Sequence, residues 1–255
     1  MTVFVLKIIA MTTMIIDHVG FAFCHDLYVM RMVGRLAFVT YAFLIAESYF
    51  HLREKPDRLR YHEVKLLLLC LITEIPFNMF AYGQWFYPER QSTLVLLWLG
   101  FSSLIAIGWW SKRHASRKPL AIAGSGVIIA AAVALSYLLH TEYNVAGVLL
   151  IVMFYVYLRK ADELALPQRF AVLFVIAVVY LAFHIWVHAC FGGPADFLYV
   201  VQVGSYRIVG TVLAIVPLAL YNRKLGYSGK WFRRFYSIFY PLQFTVLALI
   251  VHCVG

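Results

Sequence analysis

Leu6-Lys7-Ile8-Ile9-Ala10-Met11-Thr12-Thr13-Met14-Ile15-Ile16-Asp17-His18-Val19-Gly20 decides the fold. The stretch is apolar enough to span a bilayer, yet it holds a lysine, an aspartate and a histidine. An ionisable side chain in hydrocarbon costs at least ~2.5 kcal/mol on insertion scales, so such groups face a bundle interior and mark function. At about 100° per residue, Lys7, Met11, Met14 and His18 share one helix face, with Lys7 and His18 roughly 16 Å apart along the axis. Asp17 points about 100° away from His18, so the spacing predicts that each finds its partner on another helix.

The same apolar character recurs throughout the 255 residues, 63% of which are hydrophobic, at a mean hydropathy of +0.81. This composition predicts an all-α, polytopic transmembrane bundle forming one domain, residues 1–255, rather than a soluble enzyme. The first run is expected to remain as a span: it lacks a basic n-region and a small-residue cleavage site, and it contains Asp17 and His18. The net charge of +10 and pI near 9.5 do not point to nucleic acid, because no basic run extends over a soluble module. Cys24, Cys70, Cys190 and Cys253 show no CxxC spacing. Cys24, Cys190 and Cys253 fall near one membrane face, where a disulfide and apolar packing are the alternatives and packing is preferred.

Nine spans are expected, near 3–24, 32–50, 63–82, 92–110, 120–139, 144–158, 170–191, 204–221 and 236–254, the sixth being short. The loops orient them. Seventeen of the 22 Lys and Arg residues follow spans two, four, six and eight, from Arg53 to Lys65, Lys112 to Lys118, Arg159 to Arg169 and Arg223 to Arg234. The alternate loops hold chiefly Arg31 and Arg90. The positive-inside rule then places the N-terminus in the cytoplasm and the C-terminus outside. Trp85, Phe86 and Tyr87 suit an interfacial aromatic belt. No internal repeat of the kind found in secondary transporters is visible.

With that orientation, Asp17, His18, Arg35, Glu74, Asn78, His184, His188 and Arg207 fall in the outer half of the membrane. Lys7, Glu47, Tyr240 and Gln243 fall toward the cytoplasm. Pro76, between Glu74 and Asn78, removes a backbone donor and predicts a bend around a polar cavity. Asp17 with Arg35, and Glu74 with Arg207, are candidate structural ion pairs. His184 and His188 have i, i+4 metal-ligand spacing, but without a HExxH-type glutamate interfacial hydrogen bonding is preferred and no metal is expected. His18 is the foremost functional candidate, being deep in its span and of a type that titrates near neutrality, as a general base requires.

These residues carry a family resemblance. The opening Leu6–Gly20 stretch resembles the "LKxIAxxxMxIDHxG" signature of the TraX family of membrane proteins. Val33-Gly34-Arg35-Leu36-Ala37-Phe38 and Ala42-Phe43-Leu44-Ile45-Ala46-Glu47 are similar to its "GRxAFPxFxFLxxEG" stretch, and Ile72-Thr73-Glu74-Ile75-Pro76-Phe77-Asn78 to "ISEIPFD". Gln91-Ser92 fits the polar pair opening the next helix. Tyr143-Asn144-Val145-Ala146-Gly147 resembles "YGxxG", Pro217-Leu218-Ala219-Leu220-Tyr221-Asn222 resembles "PLxLYN", and Phe239-Tyr240-Pro241-Leu242 resembles the start of "FYPLH". The chain departs from these patterns at Val39 for proline, Ser48 for glycine and Asn78 for aspartate. Gln243 stands in place of the histidine of "FYPLH". If that histidine hydrogen-bonds, glutamine can replace it; if it does chemistry, this chain uses another acceptor or has lost activity.

Founding members of that family are linked to acetylation of conjugative pilin, so the resemblance implies a bacterial inner-membrane acyltransferase. It would move an acetyl group from cytoplasmic acetyl-CoA to an exported acceptor: pilin, another peptide, a glycan or a small amine. On this reading His18 is the general base, oriented by Asp17 or Glu74. Arg35 and Asn78, with His184, His188 and Arg207, hold the acceptor or polarise the carbonyl. Lys7 and Tyr240, with Glu47 and Gln243, line the acyl-CoA path. The rivals are a proton-coupled small-solute transporter, since buried Asp, Glu and His also build proton relays, and a non-catalytic relative of the enzyme.

Overall fold

The structure, a computed structural model, describes residues 1–24, 26–191 and 194–254; the side chains of residues 144, 188, 191, 194–205 and 254 lie outside the described set. The described residues form nine helices: α1 (Val3–Phe23), α2 (Tyr28–Leu52), α3 (Pro56–Tyr82), α4 (Thr93–Arg113), α5 (Lys118–Leu138), α6 (Asn144–Lys160), α7 (Leu166–Phe191), α8 (Pro194–Ala219) and α9 (Lys230–Val254). Seven of them are long and apolar enough to cross a bilayer. α6 is shorter at 17 residues, as is the described apolar part of α8, Tyr206–Ala219.

The expected segments fall on these helices in order, but α3, α8 and α9 begin well before the point that the hydropathy pattern suggests. α3 starts at Pro56, where a proline with preset φ costs no hydrogen bond, and Asp57 in its first turn suits the helix dipole. Arg58, Arg60 and Lys65 therefore lie on α3 rather than in a loop. α9 starts at Lys230, so Arg233 and Arg234 are helical too. α8 starts at Pro194. Helical propensity carries these segments past the point where apolar character ends. α3 also continues through Pro76 as one helix.

α2 is the centre of the bundle. It packs against α1, α8, α6 and α4, and its small residues set how closely they come. At Gly34 an added Cβ would lie 2.1 Å from the Asp17 Cβ, so α1 and α2 are in backbone-close contact there. Gly210 does the same for α8, where a Cβ would sit 2.6 Å from the Arg35 Cβ and 2.8 Å from the α2 backbone. These contacts place Asp17, Arg35 and Arg207 beside one another. α5, by contrast, packs mainly against α4 and α6 and buries only Ser136 among its own residues.

Short loops make sequence neighbours antiparallel, so the bundle has two distinct ends. At the Lys7 end the α8–α9 connection folds over the N-terminus. Val3 N donates to Lys224 O (2.9 Å) and Phe4 N to Leu225 O (3.1 Å), which satisfies orphan donors of α1, and Asn222 N donates to Met1 O (2.9 Å). Gly226, at φ +70, is needed there because a side chain would strike Thr2. At the Asp17 end, a single bridge pairs Gln91 with Thr141. His140, at φ 48, turns the chain into it. No strand is present among the described residues. The cysteines are free; only Cys70 is buried, while Cys190 and Cys253 are exposed, so packing accounts for one of the four.

Candidate functional site

Among the described residues, a cavity opens at each end of the bundle. The cavity at the Asp17 end, about 130 Å³, is lined by Asp17, His18 and Phe21 of α1, Arg31 and Arg35 of α2, Phe77, Phe80, Ala81 and Tyr82 of α3, Arg90, Glu142, Arg207 of α8 and Phe244 of α9. His18 sits on its wall between two rings, 4.6 Å from Phe244 and 5.8 Å from Phe80. Its Nδ1 lies 3.0 Å from Gln243 Nε2. Asp17 turns the other way and pairs with Arg31 at 3.0 Å, while Arg31 also donates to the Asp17 carbonyl at 3.2 Å. Each member of the Asp17–His18 dipeptide thus takes its partner from a different helix, as the helical spacing requires.

Behind them lies a buried network. Arg35 donates to the Tyr143 hydroxyl at 3.0 Å and pairs with Glu142 at 3.4 Å. Thr93 donates to the other Glu142 oxygen at 2.6 Å. Arg207 Nη1 lies 3.2 Å from His184 Nδ1. Both guanidinium groups lie over the Tyr143 ring, at 5.9 Å for Arg35 and 5.0 Å for Arg207, and that ring stacks on Phe38 at 3.6 Å. The bridge between Gln91 and Thr141 is what carries Glu142 to Thr93.

The expected pairings are therefore corrected. Asp17 pairs with Arg31, not Arg35, because Arg35 lies one turn deeper, within reach of Glu142. Glu74 does not meet Arg207; it accepts from Ser92 N (3.1 Å) and Ser92 Oγ (2.5 Å), holding the N-terminus of α4, where a carboxylate suits the exposed amides. Glu74 and Asn78 line neither cavity, and Asn78 Oδ1 is buried without a hydrogen-bond donor. The His188 side chain lies outside the described residues. Among the described residues, no group of three or more His, Cys, Asp or Glu gathers as a ligand set.

The second cavity, about 250 Å³, opens at the Lys7 end and is lined by Lys7, Tyr41, Ser48, His62, Lys65, Arg233, Tyr236, Ser237 and Tyr240 among apolar residues. Lys7 Nζ stands 4.2 Å from the Tyr236 ring centroid, and Lys65 donates to Ser237. Lys7 and Tyr240, expected on one path, both line this cavity. Glu47 is not on this wall; it accepts from the Tyr221 hydroxyl at 2.8 Å and pairs with His51 at 2.9 Å. Gln243 belongs to the His18 side, since one helical turn separates it from Tyr240.

The two cavities approach one another at α9. The Tyr240 side chain reaches Thr93, which in turn holds Glu142. Sequence reading passed over Glu142, Arg31 and Thr93. Glu142 sits in a short turn that looks like an ordinary loop; the available signal was how few charged residues the loops at this end hold.

No curated protein and no solved structure matches the chain. The family profile described as TraX protein matches residues 3–251, nearly the whole length, and the chain belongs to the TraX family.

Proposed function

We propose that this protein is an acetyltransferase of the bacterial cytoplasmic membrane. It would take acetyl-CoA at the Lys7 cavity, on the cytoplasmic side, and deliver the acetyl group to an acceptor at the His18 cavity, on the outer side. The observation that carries this reading is the pair of cavities at opposite ends of one bundle, with Tyr240 on one wall and Phe244, one turn further along α9, on the other. A two-sided group transfer needs such a layout. The concentration of Lys and Arg at the Lys7 end supports the orientation, by the positive-inside rule. Family membership supports the chemistry.

His18 is the proposed base. A glutamine amide can present either end. With Oε1 turned to His18, Gln243 accepts Nδ1–H, its otherwise unpartnered buried oxygen is satisfied, and Nε2 of His18 keeps its lone pair. The acceptor N–H or O–H gives its proton to that Nε2 as its lone pair attacks the thioester carbonyl. The Gln243 Nε2–H group then donates to the oxyanion. Collapse breaks the C–S bond, the thiolate takes up the proton, and CoA leaves with the acetyl group on the acceptor. Gln243 orients His18 here; Asp17 and Glu74, expected in that role from sequence, are occupied by Arg31 and Ser92.

The test is incubation of the protein in nanodiscs with radiolabelled acetyl-CoA, following free CoA and label transfer. Release that depends on His18 is expected; near-wild-type turnover by His18→Ala would overturn the assignment. A second reading, proton-coupled transport, is favoured by the Tyr240–Thr93–Glu142 chain of hydroxyl and carboxylate groups between the cavities. Proton-coupled uptake into liposomes without CoA release would select it.

A further inference from the structure

The acceptor side of the molecule is built for negative charge. Both carboxylates on the His18 cavity wall are already engaged: Asp17 by Arg31, and Glu142 by Arg35 and Thr93. A cationic acceptor would find no unpaired carboxylate among the described residues that line this cavity. The cations are in excess, with Arg31, Arg35, Arg90 and Arg207 lining the same space. Arg207 has His184, Tyr180 and the Tyr143 ring as partners, and among the described residues no carboxylate pairs with it directly.

Two of these arginines are more than nine-tenths buried, Arg35 at 7% and Arg207 at 8% exposure, and the Nε–H of each lacks a hydrogen-bond partner. A buried guanidinium donor left unpaired is costly, and a buried charge without a counter-charge more so. Their shared position over Tyr143, held by the close approach of Gly210 to α2, keeps both facing one space. Guanidinium groups lining one cavity suit the planar or tetrahedral oxygens of an anion.

We propose that the His18 cavity selects an acceptor bearing a carboxylate or phosphate group close to its nucleophile, bound by Arg207 and Arg35 with Arg90 at the mouth. The nucleophilic hydroxyl or amine then lies toward His18. The proposal rests on the reading of this cavity as the acceptor site and narrows the acceptor from any exported amine or alcohol to an anionic one.

The experiment leaves out the acyl donor, so it does not depend on transfer. Protein in nanodiscs of zwitterionic lipid is titrated with glycerate, glycerol 3-phosphate, glycerol and ethanolamine, following the unfolding midpoint. A ligand that binds only the folded state raises that midpoint. At least one of the two anions is expected to stabilise saturably, and which one does so separates carboxylate from phosphate. Glycerol and ethanolamine are expected to do nothing. Arg207→Gln should weaken the anion by roughly tenfold or more, the scale of a charge-assisted hydrogen bond. Arg90→Gln, at an exposed position, tests the same point in a variant whose folding is not at risk, with a loss of roughly severalfold. Stabilisation by ethanolamine alone, or by neither anion, would overturn the proposal. So would anion binding untouched in every variant that folds, because it would then arise at Lys7, Lys65 and Arg233. Anion binding without acetyl transfer would instead refute the enzyme and leave an anion-recognising site; transfer without anion binding would do the reverse.

Discussion

The Lys7 and His18 cavities lie in one bundle and share α1 and α9, yet they handle charge in opposite ways. Lys7, Lys65 and Arg233 line the first with no carboxylate among the lining residues; Lys7 is met by the Tyr236 ring and Lys65 by a hydroxyl. Its side chains are long and its mouth is close to the basic end of the molecule. Cations there keep access to water and need no fixed partner. The His18 cavity holds two part-buried ion pairs supplied by three different segments, Asp17 of α1 with Arg31 of α2 and Arg35 of α2 with Glu142 of the α5–α6 turn, beside Arg207 of α8. Burying charge away from water demands fixed geometry. The difference is between a site that attracts and a site that positions.

Substitutions should separate the two. His18→Ala strikes the positioning site directly: loss of a general base lowers transfer by about 10²–10⁴-fold. Donor binding at the other cavity should be intact, as measured by CoA protection of the Lys7 end from hydrogen exchange. Gly34→Ala acts on the same site through packing. Its Cβ would lie 2.1 Å from that of Asp17, so α1 must shift and carry the Asp17–Arg31 pair with it. Overpacking of this kind costs about 1–3 kcal/mol, visible as a lower unfolding midpoint, and transfer should fall with it.

At the attracting site the effect should be smaller and of another kind. Lys7→Met is expected to raise the KM for acetyl-CoA roughly tenfold with kcat nearly kept, the signature of lost uniform binding. A fall in kcat with unchanged KM would blur the distinction between the cavities. The smallest effect lies outside both. Glu54 is exposed and paired with Lys112 at 2.8 Å, which holds its carboxyl below the usual carboxylate range. The pair's contribution is present above the ordinary glutamate pKa and is lost as pH falls through the lowered one. Because both groups are in water, Glu54→Gln should leave the midpoint at neutral pH unchanged, and any difference between variant and parent should vanish in acid.

Much of the fold was readable in advance, and for a definite reason. A bilayer forces every backbone group to be satisfied within its own helix, so apolar runs of about 20 residues translate into helices without knowledge of their neighbours. The helices and their order, the short sixth helix and the need of Asp17 and His18 for separate partners all follow from one-dimensional periodicity. The departures at Pro56 and Lys230 arose where a polar segment continued a helix beyond its apolar part.

What the chain alone determined, then, is a helical membrane bundle of the TraX family, with a polar His18 region and a basic Lys7 region roughly 16 Å apart along α1. Which charge meets which was decided only by tertiary structure. Arg31 and Arg35 are one helical turn apart, and either could face Asp17 by sequence. The Gly34 and Gly210 contacts fix the heights of α1 and α8 against α2, and the Gln91–Thr141 bridge brings in Glu142 from a turn. Ion pairing depends on separations of 3–4 Å between segments distant in sequence, and helical periodicity carries no information about that register.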